Sequence, residues 1–106
     1  MRQAGVIAAA ALVALTTMVE RLHDDHRRAR RLAEVVAERW PDALEPDMVR
    51  TNMVIWRHPG APEVLERLRA DGVLAGAIAP GVLRMVTHLD VDDDGIERAC
   101  KALSTA

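Results

Sequence analysis

Between Leu12 and Trp40 one apolar stripe runs without a gap: Leu12, Leu15, Val19, Leu22, His26, Ala29, Ala33, Val36 and Trp40. The intervals alternate between three and four residues, a spacing that only an α-helix gathers onto one face. This stretch therefore predicts a long amphipathic helix that has to lie against another apolar surface. The β-branched pair Thr16–Thr17 is the expected place for a bend or break. Pro41 ends the element, because a residue preceding proline resists the α region. Arg27, Arg28, Arg30, Arg31 and Glu34 fall on the opposite face, which reads as solvated.

The rest of the chain supplies the surface. Pro41–Pro46 reads as a connector, and Asp47–Arg57 as a strand with Val49, Thr51, Met53 and Ile55 along one face. His58-Pro59-Gly60 is a turn. Pro62–Ala70 follows as a short helix with Pro in its first turn and Val64, Leu65 and Leu68 inward. Asp71-Gly72 closes it. Val73–Ile78 fits a short strand, Pro80-Gly81 a turn, Val82–Leu89 a second clear strand, and Asp93–Leu103 a final helix. The expected fold class is α/β of the α+β kind: a small, mainly antiparallel sheet with helices packed on one face. The expected organisation is one small domain over 1–106, with a long, broken helix over 1–40 and a strand-helix-strand-strand-helix unit over 47–106.

Composition narrows the functions. The 106 residues include no Phe or Tyr, and Trp40 and Trp56 are the only aromatic side chains besides histidine. Single-stranded nucleic-acid binders need stacking platforms that this chain lacks. A net charge of −2 gives no general attraction to nucleic acid or to an anionic membrane. Cys100 is the single cysteine, so no internal disulfide forms, and a reducing, cytoplasmic setting is the natural expectation. Arg2 followed by Ala4–Leu15 resembles a short signal peptide. The run, however, lacks a clear cleavage site, feeds into helical periodicity, and falls short of the about 20 residues a spanning helix needs.

Few residues offer chemistry. Asp90-Val91-Asp92-Asp93-Asp94-Gly95 matches the opening of a calcium loop, but the twelfth position holds Lys101 where a bidentate Glu belongs. Asp92 or Asp93 capping the last helix is the better reading. His23 and His26 are three apart, without the general base of a zinc-protease motif; His26, lying on the stripe, reads as a hydrogen-bonded histidine at a packing seam. No metal site is expected. Gly72, Gly76 and Gly81 form no nucleotide-binding fingerprint. Cys100 fits core packing.

Arg84 differs. On a strand it shares a face with Val82, Val86 and His88, while Leu83, Met85, Thr87 and Leu89 share the other. A guanidinium among valines is costly unless it meets an anion. Its planar fork suits a carboxylate bidentately. From chemistry alone an internal ion pair, an edge position reaching solvent and a ligand site are all open.

The segments Met1-Arg2-Gln3-Ala4-Gly5, Asp25-His26, Thr51-Asn52-Met53 and Arg84-Met85-Val86-Thr87-His88-Leu89-Asp90-Val91, in this order and spacing, resemble the C-terminal part of the low-specificity L-threonine aldolases. These are fold-type I pyridoxal-phosphate enzymes of the β-eliminating lyase group. The resemblance spans nearly the whole chain and is most specific in the last segment. It implies cleavage of threonine or allo-threonine to glycine and acetaldehyde by dimers or tetramers, with pyridoxal phosphate as the electron sink. It assigns Arg84 to the substrate carboxylate and places Arg2 near the cofactor phosphate; His88 supports the strand.

The family's Schiff-base lysine, the aspartate for the pyridine nitrogen, the ring-stacking histidine and the phosphate loop would all precede Met1. Lys101 is the sole lysine here and lies where the family has no such role. The resemblance thus implies that Met1 is an internal methionine of a fragment, a truncated frame or half of a split gene. The chain is expected to have no catalytic residue of its own and to be inactive alone. Its expected partners are an amino-acid substrate once completed by a large domain, a missing N-terminal half, or further copies. Nucleic acid and membrane are not expected. The alternative is a non-catalytic binding module derived from the same domain.

Overall fold

The computed structural model describes all 106 residues. The first helix, α1 (Ala4–Val13), runs into a π-helical stretch, Ala14–Met18. There the Thr16 and Thr17 hydroxyls donate to the carbonyls of Leu12 and Val13, each at 2.7 Å. Hydroxyls bonding back onto the preceding turn compete with the regular ladder. The sharp bend of 76° comes just after, at Val19–Arg21, before α2 (Leu22–Arg39) begins. No single helix is long and apolar enough to cross a membrane.

After a short 3-10 turn (Pro46–Met48) come β1 (Met53–Arg57), α3 (Ala61–Ala70), β2 (Gly76–Ala79), β3 (Val82–Val86) and α4 (Asp93–Thr105). The sheet has the order β1-β3-β2 and is antiparallel throughout, as the sequence predicts. Its strands are shorter than expected. Val49 and Thr51 lie outside β1, and Val73 precedes β2. Pro80-Gly81 makes the tight turn between β2 and β3, with Gly81 at φ +72°, the left-handed conformation that suits a turn with Pro before Gly. Gly72, at φ +76°, ends α3, and the Val73 N–H donates back to the Leu68 carbonyl at 2.8 Å.

One face of the sheet carries the helices. Val54 and Trp56 of β1 and Leu83 and Met85 of β3 join Leu32, Val36, Leu68, Ile96 and Leu103 in a single buried core. Trp56 is the largest wholly buried side chain, and Trp40 stacks on it with ring centroids 6.3 Å apart. Cys100 is buried in α4, as its apolar setting predicts. The Asp92 carboxylate accepts from the Gly95 N–H at 2.8 Å and caps α4, so that acid is a helix cap. Asp93 pairs with Arg28 at 2.8 Å and Arg27 at 3.0 Å.

Two expectations about the long stripe are corrected. Leu12, Leu15, Val19 and Leu22 are exposed, and no residue of α1 is buried. The stripe holds only within α2, where Ala29, Ala33 and Val36 are buried together with Asp25, Leu32 and Val35. His26, at the start of that stretch, is exposed and its side chain makes no hydrogen bond, whereas its neighbour Asp25 is buried. The arginine face of α2 is also more than solvated: besides the Asp93 pairs, Arg31 meets Glu97 at 3.2 Å and Arg30 meets Asp47 at 2.6 Å.

Candidate functional site

The alternation of β3 turns Leu83 and Met85 into the core and leaves Arg84 on the opposite, open face of the sheet. Arg84 stands across from Ile55 of β1 on one side and Gly76 of β2 on the other. Val86 follows on the same face, opposite Met53. Ile55, Met53 and Val86 are all substantially exposed, so the guanidinium rises from an uncovered apolar floor. At Gly76 an added Cβ would meet nothing within 4 Å, which leaves that flank of Arg84 open.

Arg84 is exposed and belongs to none of the chain's ion pairs. Of the three readings the sequence leaves open, the internal ion pair is therefore removed. A free fork on an apolar floor can take a carboxylate bidentately, and the bonds gain strength once a covering surface excludes water.

Three of the motif segments converge beside this strand. Thr87, one residue past β3, is buried, and each of its polar groups is matched. Its hydroxyl donates to the Asp25 carbonyl at 2.7 Å, its N–H donates to the Asn52 carbonyl at 2.9 Å, and its carbonyl accepts from Asn52 Nδ2 at 2.8 Å. The Asp25 carboxylate in turn accepts from both Arg21 terminal nitrogens, at 2.7 and 3.1 Å. Sequence reasoning missed this cluster. The spacing of Arg21 and Asp25, four apart on one helix, was the available signal.

Arg2 is not brought to Arg84. It precedes α1, at the far end of a helix no part of which is buried, and makes no ion pair or hydrogen bond. The α1 N-terminus has no side-chain cap and no acid in its first turn, so the uncapped N–H groups and the guanidinium present positive charge together. His88 is exposed, with Nδ1 accepting from the Asp90 N–H at 3.2 Å, which is a local turn contact. His23 and His26 belong to no group of potential metal ligands.

A pyridoxal cofactor requires a lysine amine, and this sequence has only Lys101. It is exposed on α4, in the helical layer, with the sheet between it and Arg84. The residues present can meet a carboxylate at Arg84 and an anion at Arg2, but they do not by themselves fit the cofactor.

A sequence model of the family described as beta-eliminating lyase matches residues 1–59. The chain is 41% identical over 93 residues to the "Low specificity L-threonine aldolase" of Escherichia coli K12, covering 86% of this chain and 26% of that protein. It is 38% identical over 102 residues to the "Probable low-specificity L-threonine aldolase 2" of Arabidopsis thaliana, covering 92% of this chain and 29% of the relative. The chain thus spans between a quarter and a third of the length of these relatives.

Proposed function

The chain belongs to the beta-eliminating lyase family, and from that premise we propose that it is the carboxylate-binding part of a threonine aldolase-like lyase. The reaction is cleavage of threonine or allo-threonine to glycine and acetaldehyde. The observation that carries this reading is Arg84, an unpaired guanidinium on an open apolar sheet face. Its work is to hold the α-carboxylate and thereby fix which bond of the amino acid faces the reacting centre. Gly76 leaves room for the carboxylate to approach, and Ile55 and Val86 supply an apolar floor beside it. Arg2 supplies a phosphate contact.

Pyridoxal phosphate, when bound, supplies the electron sink, and its lysine belongs to the part of the enzyme that this chain does not include. The exposed apolar helix α1 supports the existence of such a partner surface. Helices that are apolar on every side are ordinarily buried, and Val6, Ile7, Leu12, Val13 and Leu15 have nothing over them. The partner is a cofactor-bearing polypeptide, assembled with further copies. The same helix favours a second reading, in which the chain is a non-catalytic module that docks on another protein through α1.

The test uses the purified chain with pyridoxal phosphate and threonine. The proposal expects no absorbance band from a cofactor–lysine adduct and no glycine released. Aldolase activity from this chain without a second polypeptide would overturn it.

A further inference from the structure

We propose that Arg57 joins Arg84 in a two-arginine site on the open sheet face, and that the site takes a dicarboxylate. In the reaction set out under Proposed function, this means an amino acid with a second carboxylate on its side chain. That extension rests on the aldolase reading, whereas the paired site rests on the sheet alone.

The register brings the two guanidiniums together. Along β1, Val54 and Trp56 turn into the core, so Met53, Ile55 and Arg57 share the open face. Arg57 pairs with Val82 of β3, and Ile55 with Arg84. Arg57 and Arg84 are therefore diagonal neighbours on one face. That relation separates their positions by roughly 7–8 Å and leaves long side chains within reach of each other. Val82, directly across from Arg57, adds a second observation. It alternates onto the face of Arg84, outside the apolar cluster of the helical side, yet is only 8% exposed. Its partner on β2, Ala79, is too small to cover it. Arginine stems cover apolar neighbours while their charged heads stay in water. The stems of Arg57 and Arg84 over Val82 account for its burial, and they set the two heads side by side.

Like charges at that spacing repel unless an anion lies between them. The sheet provides none: no Asp or Glu lies on any of its three strands. Both arginines are exposed, and neither belongs to an ion pair, although the chain has 16 acids against 14 lysine and arginine residues. Beside them the surface is open and apolar, with Ile55 and Val86 exposed and free space at Gly76. Each planar fork takes one carboxylate bidentately. A fork on each of two neighbouring strands thus matches carboxylates at the two ends of a short carbon chain, whose methylenes lie on the apolar floor.

Nuclear magnetic resonance titration of the full chain reads the site directly, through the Nε–Hε signals of Arg57 and Arg84. The probes are succinate, acetate and inorganic phosphate, each at the same ionic strength. Succinate is expected to shift both signals and to bind at least about fivefold more tightly than acetate, because its second carboxylate binds at the effective concentration set by the first. Arg57→Leu is expected to bring succinate to within about twofold of acetate, the statistical factor for two equivalent ends. The response of the Arg84 signal to acetate should stay as it was. Arg57→Lys keeps the charge without the fork and is expected to recover only part of the loss. Circular dichroism checks that each variant is folded, which the exposure of Arg57 favours. Three results overturn the paired site: a wild-type advantage of about twofold or less, an advantage that survives in Arg57→Leu, or phosphate binding as tight as that of succinate. The titration involves no catalysis, so its failure leaves the aldolase reading standing, and an inactive completed enzyme leaves the paired site standing.

Discussion

The core of this protein depends on single residues to an unusual degree, because it has no Phe or Tyr to share the load. Trp56 is buried to 1% exposure, yet its indole N–H has no protein acceptor. Its contribution is therefore volume and stacking on Trp40. Trp56→Ala should destabilise the chain by about 3–5 kcal/mol in urea unfolding, whereas Trp56→Phe should lose less than half of that. Burial also pushes the Cys100 thiol up from its ordinary value, keeping it protonated near neutrality. It should resist alkylation until the chain unfolds. At Asp93 the hydrogen bonds from Arg28 and Arg27 hold the carboxyl below the usual carboxylate range. A depressed folded-state value stabilises the fold above the unfolded value of about 3.9, and this is lost as pH falls through the lower folded one. Acid unfolding followed by circular dichroism should therefore begin earlier in Asp93→Asn, and molar salt should shrink the difference.

At the scale of elements, the periodic pattern was legible and its extent was not. The apolar residues of the α3 and α4 helices, the Pro80-Gly81 turn and the alternation of β3 follow from local rules, and each forms where its spacing places it. The stripe from Leu12 to Trp40 holds from Ala29 onward and fails before it, where a 76° bend separates two helices that the spacing joins. Thr16–Thr17 mark the π-helical stretch, but the turn falls at Val19–Arg21, just before Asp25, whose carbonyl Thr87 meets from 62 residues away. A window around the bend does not contain Thr87. The same holds for Met53 and Ile55, read correctly as sharing a face but set on the open one, since only the packing of α2 and α4 decides which face is covered. Two element-scale outcomes follow. Asp92→Ala removes the α4 cap and should lower stability by about 1 kcal/mol. Leu12→Glu/Leu15→Glu alters only exposed positions, so unfolding of the domain should change by less than about 0.5 kcal/mol. Light scattering should show the parent chain self-associating through its exposed α1 and the variant remaining monomeric.

Across the whole molecule the helical layer and the inner sheet face form the packed body. The outer face and α1 hold the residues of the proposed function, Arg84 on its apolar floor and Arg2 at the end of an arm. Arg84 was legible in the sequence as a cation on a strand face, and the structure adds that no acid of the chain neutralises it. Its role as a carboxylate clamp is the central claim. The most direct test replaces the matching segment of the Escherichia coli relative with this chain and measures acetaldehyde release from threonine, with Arg84 and with Arg84→Leu. The expected result is an active chimera whose Arg84→Leu form loses at least about a hundredfold in kcat/KM, the scale of a lost charged bidentate contact. An Arg84→Leu chimera as active as its parent would contradict it.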